Sequence, residues 1–224
     1  ELSRPVFHPG FIRRVKKLLE MVCHNCSKVL ADREDTQYAA AMRIRDPKVR
    51  FKRVWDICKS KKRCENEPRK GKDGEFNPSG EDQAGESSHG GCGNTQPVIR
   101  QQALTLWGSV ETKDEDGVKT KEKKVITPEM ALNIFRRMSD DEMIDIGLNI
   151  SQARPEWMII TVLPVPPPPV RPSISMDGTG TGLRNEDDLT YKLGDIIRAN
   201  GNVRQAIAEG SPQHIITDFE NLLQ

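Results

Sequence analysis

Aromatic residues are scarce. Three Trp, two Tyr and six Phe amount to 5% of 224 residues, and hydrophobic residues reach only 35% against 30% charged. A chain this polar buries little apolar surface per residue, so a metal or a partner chain is expected to help hold it. No apolar run approaches the roughly 18 residues of a membrane-spanning helix, and no signal segment is present, so no membrane partner is expected. No Gly-rich phosphate loop of the P-loop or dinucleotide type appears, and no Ser/His/Asp or Cys/His set stands out. The paired acids Asp187 and Asp188 read as helix capping rather than metal-assisted chemistry. There is no initial Met. The chain opens at Glu1 and stops inside the amphipathic run Ile215, Ile216, Phe219, Leu222, Leu223, with no Gly or Pro to end a helix. It therefore reads as a non-catalytic segment of a longer protein. Five cysteines, an odd number, argue against a closed disulfide framework.

What is present is unevenly charged. The net charge is +1, yet residues 1–72 hold 20 Lys and Arg against 9 Asp and Glu, and the rest hold 14 against 24. A basic front is a plausible surface for a polyanion; the alternative is a solvated helix face. Phe11, Ile12, Val15, Leu18, Leu19 and Val22 recur at helical spacing from about Phe11, with Arg13, Arg14, Lys16 and Lys17 on the other face. A second helix is predicted over about 47–60. Phe51, Val54, Trp55 and Cys58 form its stripe, Lys48, Arg50, Lys52, Arg53 and Lys59 its basic face, and Lys61-Lys62-Arg63 follows. Without aromatic interleaving, these cations suggest phosphate contact rather than base readout.

Residues 65–91 are Gly-, Ser- and charge-rich and read as a mobile loop. Val98–Val110 reads as strand, and the polar stretch 111–124 as an exposed, mobile hairpin tip. Thr127-Pro128 starts a helix, and Ser139-Asp140-Asp141-Glu142 is a capping box opening another that closes at Gly147. Trp157–Leu163 suggests a strand buried on both faces. It leads into the stiff proline segment Pro164–Pro172 and a Gly/Ser/Thr loop, Ser173–Gly182. Glu186-Asp187-Asp188 opens a helix with Leu189, Leu193, Ile196 and Ile197 on one face, and Ser211-Pro212 starts the last helix. The fold class is α+β, dominated by helices.

The strongest chemical signal is cysteine. Cys23-x-x-Cys26 is a tight knuckle that lets two thiolates face one ion, and Cys64 and Cys92 are the natural further ligands for tetrahedral zinc. Cys58 lies on an apolar stripe and is assigned to the core. His24 and His89 are possible substitute ligands, and reduced, unpaired thiols are the alternative. A four-ligand site leaves no open position for water, so its role would be structural.

Pro5-Val6-Phe7-His8, Cys23-x-x-Cys26, Gly90-Gly91-Cys92-Gly93-Asn94-Thr95-Gln96-Pro97, Arg154-Pro155-Glu156-Trp157-Met158 and the block Leu163–Ser173 occur in that order. Together they resemble the largest-subunit family of eukaryotic RNA polymerase II, in its clamp region, and the resemblance covers essentially the whole chain. It implies a clamp-core strand at 1–10, a zinc-bearing clamp head at 11–153, and clamp core with a lid loop at 154–224. The implied zinc ligands are Cys23, Cys26, Cys64 and Cys92. The lid spans about Arg171 to Arg184 with Met176 near its tip, where an aromatic wedge stands in some members; Met can wedge but cannot stack as a ring does. The resemblance further implies template DNA and the RNA–DNA hybrid as partners. Other polymerase subunits, especially the second-largest, and initiation and elongation factors complete the set, in the nucleus. The family's catalytic magnesium motif is not in this sequence. The competing reading is a stand-alone zinc-dependent interaction module using its basic face and proline run.

Overall fold

The computed structural model describes residues 1–65, 90–113, 119–180 and 182–224. In chain order its elements are β1 (Val6–Phe7), α1 (Ile12–Leu19), α2 (Thr36–Met42), α3 (Pro47–Cys58), β2 (Val98–Gln102), β3 (Thr105–Lys113) and β4 (Lys119–Ile126). Then follow α4 (Pro128–Arg136), α5 (Asp140–Ile146), β5 (Ile159–Ile160), β6 (Ile174–Ser175), β7 (Arg184–Asn185), α6 (Asp188–Ala208) and α7 (Gln213–Leu223). The structure is a mixture of helix and sheet, and none of its helices is long and apolar enough to cross a membrane among the described residues. The chain divides into two compact units, His8–Met158 and Glu1–Phe7 with Ile159–Gln224.

In the first unit, α1 buries Ile12, Val15, Leu18 and Leu19, and α3 buries Phe51, Val54 and Cys58. Fully burying such a side chain stabilises the fold by about 1.5–3 kcal/mol. The two helices are also joined by cations lying over rings: Arg14 sits 4.0 Å from the Phe51 ring centre and Lys17 4.4 Å from that of Trp55, over which Lys59 at the end of α3 itself also lies at 4.4 Å. The Trp55 indole N–H donates to Glu20 at 2.7 Å. Asp46 caps α3 by accepting from the Lys48 N–H, with Pro47 at the first helical position. The helix α2 follows its own Asp35 cap; no periodic stripe announces it, because only Tyr38 and Ala41 are buried.

The antiparallel sheet β2–β3–β4 departs from the expected layout. Val98–Val110 is not one strand but two, turning at Ala103-Leu104 so that Gln102 pairs with Thr105. The expected mobile tip 111–124 is largely strand, with Glu111 opposite Lys121 and Ser109 opposite Lys123. Its polarity reflects an antiparallel ribbon open to water. Residues 114–118 lie outside the described residues, as do 66–89 of the expected loop 65–91, His89 among them. Ile99, Leu106 and Ile126 turn to the core. Thr127 caps α4, and α5 shows the full capping box at Ser139 and Glu142 with Gly147 left-handed at its end.

In the second unit, β1 and β5 pair Val6 with Ile160 and Phe7 with Ile159. The strand expected over Trp157–Leu163 is thus only two residues long. Just before it, still within the first unit, Pro155–Met158 coils into a 3₁₀ turn that leaves Trp157 56% exposed; after it, Val162 is exposed as well. Pro155 pre-sets a turn-like φ, and Arg154 clasps Glu156 across it. The proline segment is not extended throughout, since Pro168–Val170 is another 3₁₀ turn. The helix α6 is capped by Asp187 and packs against α7, burying Ala199, Val203, Ala206 and Ile216. The expected face is largely open instead, with Leu189 exposed and Ile197 70% exposed, because α7 covers only the later turns. Pro212, not Ser211, stands at the α7 N-cap; the Ser211 N–H closes α6 by donating to the Ala206 carbonyl.

Candidate metal centre

Four cysteines converge in the first unit. Val22 and Val29 bridge as a minimal antiparallel pair, and the chain between them turns back on itself. In that turn the Cys23 N–H donates to the Lys28 carbonyl and the Ser27 N–H to the Cys23 carbonyl. Ser27 takes φ 64, the left-handed geometry that lets Cys23 and Cys26 face the same point. A second bridge joins Arg63 to Thr95, and the Cys64 N–H donates to the Asn94 carbonyl at 2.9 Å. Gly90 and Gly93 are left-handed, bending the chain around Cys92. Lys28 Nζ donates to the Gly90 carbonyl at 2.9 Å and Arg63 Nε to the Gly93 carbonyl at 2.7 Å.

The sulfurs of Cys23, Cys26, Cys64 and Cys92 all lie within 4.8 Å of one another and could hold a metal ion. Cys23 Sγ is 3.4 Å from Cys92 Sγ, and Cys26 Sγ is 3.7 Å from Cys64 Sγ. Burial pushes the Cys23 thiol up and the Cys64 thiol up to about 12. Burial acts the same way on Cys92, but hydrogen bonds from the Asn25 side chain, the Asn94 backbone and the Cys23 and Cys26 thiols outweigh it. They bring Cys92 down to about 6. Thiols this close resist ionising together, and a cation is what would let them do so.

Cys58 stands apart, buried on α3, its thiol pushed up to about 12 by burial. The His24 ring is spent elsewhere: Nε2 lies 3.0 Å from the Leu19 carbonyl, which can only accept, so Nε2 carries the proton. Burial lowers the His24 pKa and keeps the ring neutral. Gln96, whose role no pattern in the sequence gave away, is buried beside Cys23. A polar side chain four residues past Cys92 was the available signal.

The residues proposed for nucleic-acid contact are dispersed. Arg14 and Lys17 lie over rings, Lys16 pairs with Glu20, and Lys61 pairs with Asp35 and Glu65. Arg63 is tied to Gly93, while Arg13 and Lys62 are exposed with no ion pair among the described residues. In the second unit Arg171 donates to the Pro166 carbonyl and to Thr190, and Arg184 donates to Ser173. Met176 is 62% exposed and accepts from the Asn185 amide at 3.0 Å.

The whole chain, residues 1–224, matches the family described as RNA polymerase Rpb1, domain 1. The chain belongs to that family. A DNA-directed RNA polymerase II subunit RPB1 from Euplotoides octocarinatus is 37% identical over 224 residues, all of this chain but 43% of that protein's length. The chain thus spans less than half of that Rpb1 relative. The Rpb1 domain 1 match covers both units, including the cysteine cluster and the β6–β7 hairpin.

Proposed function

We propose that this chain is the clamp segment of a nuclear DNA-directed RNA polymerase II largest subunit, held by one structural zinc. The reading rests chiefly on one observation: a compact four-cysteine cluster within a chain matched end to end by the Rpb1 domain 1 family. Four thiolates about 2.3 Å from a tetrahedral zinc lie roughly 3.8 Å apart, and separations of 3.4 and 3.7 Å suit that ion. With four protein ligands the zinc would be structural, supplying folding energy to a chain of limited core.

On this reading residues 11–153 are the clamp head, and 1–10 with 154–224 are clamp core. The β6–β7 hairpin, between about Arg171 and Arg184, is the lid. Met176, exposed where β6 runs into the loop, would wedge at the end of the RNA–DNA hybrid. The clamp closes over the DNA cleft by phosphate contact, beside the second-largest subunit and the factors of initiation and elongation. The parent enzyme transfers nucleotides with magnesium held outside this segment.

The test is made in the assembled polymerase carrying Cys64→Ala. One zinc fewer per complex, together with elongation complexes that fall apart at lower salt, is expected. Unchanged zinc content and unchanged salt resistance would overturn the reading.

A further inference from the structure

We infer that Gln96 is a positioning residue for the four-cysteine cluster, orienting and partly neutralising the Cys23 sulfur through a hydrogen bond from its amide; this rests on the metal reading above. The side chain is only 7% exposed. Its Oε1 lies 3.0 Å from the His24 backbone N–H, its Nε2 lies 3.2 Å from Cys23 Sγ, and the same Nε2 lies 2.9 Å from the Asn94 carbonyl. Which end of the amide is which is fixed by the partners. A backbone N–H can only donate, so the oxygen faces His24; a carbonyl can only accept, so the NH₂ faces Asn94 and, with its second hydrogen, the sulfur.

The arrangement ties together the segments that carry the ligands. Gln96 grips the knuckle at His24, one residue past Cys23. It shares the Asn94 carbonyl with the Cys64 N–H, and its own N–H donates to the Lys62 carbonyl at 2.7 Å. A metal-bound thiolate carries excess charge, and a donor at its flank stabilises that charge and fixes the direction of the remaining lone pairs. Partners of this kind behind metal ligands typically change metal affinity on the order of 10–100-fold when removed. The Asn25 N–H, 3.4 Å from the same sulfur, is a backbone donor that no side-chain replacement removes, so Gln96 is the adjustable one.

The experiment loads the chain with Co²⁺ and compares native, Gln96→Glu and Gln96→Met. Glu keeps the acceptor for His24 and replaces the NH₂ with an oxygen facing the sulfur. Met keeps the volume and removes all three bonds. Two readouts are taken: the energy of the sulfur-to-cobalt charge-transfer band, and the rate at which Zn²⁺ passes to a colorimetric chelator. A hydrogen bond lowers the sulfur lone pair, so both variants are expected to shift the band to longer wavelength and to release zinc on the order of 10–100 times faster, Glu the faster. A native band position, with release within about twofold of native, would overturn the inference even if the variants melted lower, since a purely structural amide leaves the metal spectrum alone. Should Gln96→Glu fail to fold, Gln96→Met decides. Failure of the native chain to take up Co²⁺ or Zn²⁺ at all would sink the metal reading itself, a result distinct from normal loading with unperturbed variants.

Discussion

Ser27 is a non-glycine residue at φ 64, with its side chain buried and its hydroxyl without a hydrogen-bond partner among the described residues. Left-handed geometry costs a residue with a Cβ roughly 1–2 kcal/mol, and a buried unpaired hydroxyl adds to that. Gly at this position would relieve both, at some cost in the entropy of the unfolded chain. Ser27→Gly is therefore expected to raise stability by about 1 kcal/mol, read as a higher urea midpoint with an unchanged slope; a lower midpoint would refute the strain account. At this scale the sequence was legible where spacing carries the message. A knuckle of two cysteines with two more downstream names four residues, and Cys58 betrays itself by sitting on an apolar stripe. Charge was less legible. Arg14 and Lys17 read as free cations, yet they lie over Phe51 and Trp55, because a neighbouring helix supplies rings that periodicity on α1 cannot reveal.

Elements were legible where their ends carry chemistry. The cap at Thr127, the box at Ser139 and Glu142, and the acidic start of α6 each satisfy orphan N–H groups by rules local to a few residues. The β2–β3 turn was hidden for the opposite reason. A two-residue hairpin with a positive φ asks for Gly or Asn, and Ala103 takes φ 51 instead. Nothing in Val98–Val110 marked the break. Trp157–Leu163 misled because an apolar run reports burial in some context, and only Ile159 and Ile160 find a partner strand. Gly147 is where element and packing meet. At φ 93 it ends α5, and a Cβ there would stand 2.7 Å from the Pro47 carbonyl at the start of α3. Gly147→Ala must shift one helix end as well as strain its own backbone. A loss of about 1–3 kcal/mol is expected, measured by thermal or denaturant unfolding. A neutral result would mean that the α5–α3 junction yields freely.

For the molecule as a whole, the cluster couples ionisation to folding. Without metal near pH 7, Cys92, at about 6, is the thiolate, while Cys64, at about 12, keeps its proton and the Cys23 thiol is pushed up as well. Loading a metal must therefore expel protons from Cys23 and Cys64, so protons compete with the ion and affinity rises with pH. As pH falls through about 6, Cys92 takes a proton too, and the number to be expelled grows. The sign is thus fixed: metal stabilises the fold most at the alkaline end and progressively less toward acid. Binding to the folded chain alone adds stability as RT ln(1 + [L]/Kd), so the effect appears directly in melting temperature. The gap in Tm between zinc-loaded and chelator-treated chain is expected to be wide at pH 8, to narrow through pH 7 and to close near pH 5. The transition that moves should be that of the His8–Met158 unit, because all four sulfurs lie within it. A gap that stayed constant from pH 8 to pH 5 would mean that thiolates do not hold the metal. A gap that widened toward acid would point to binding by the unfolded chain at alkaline pH.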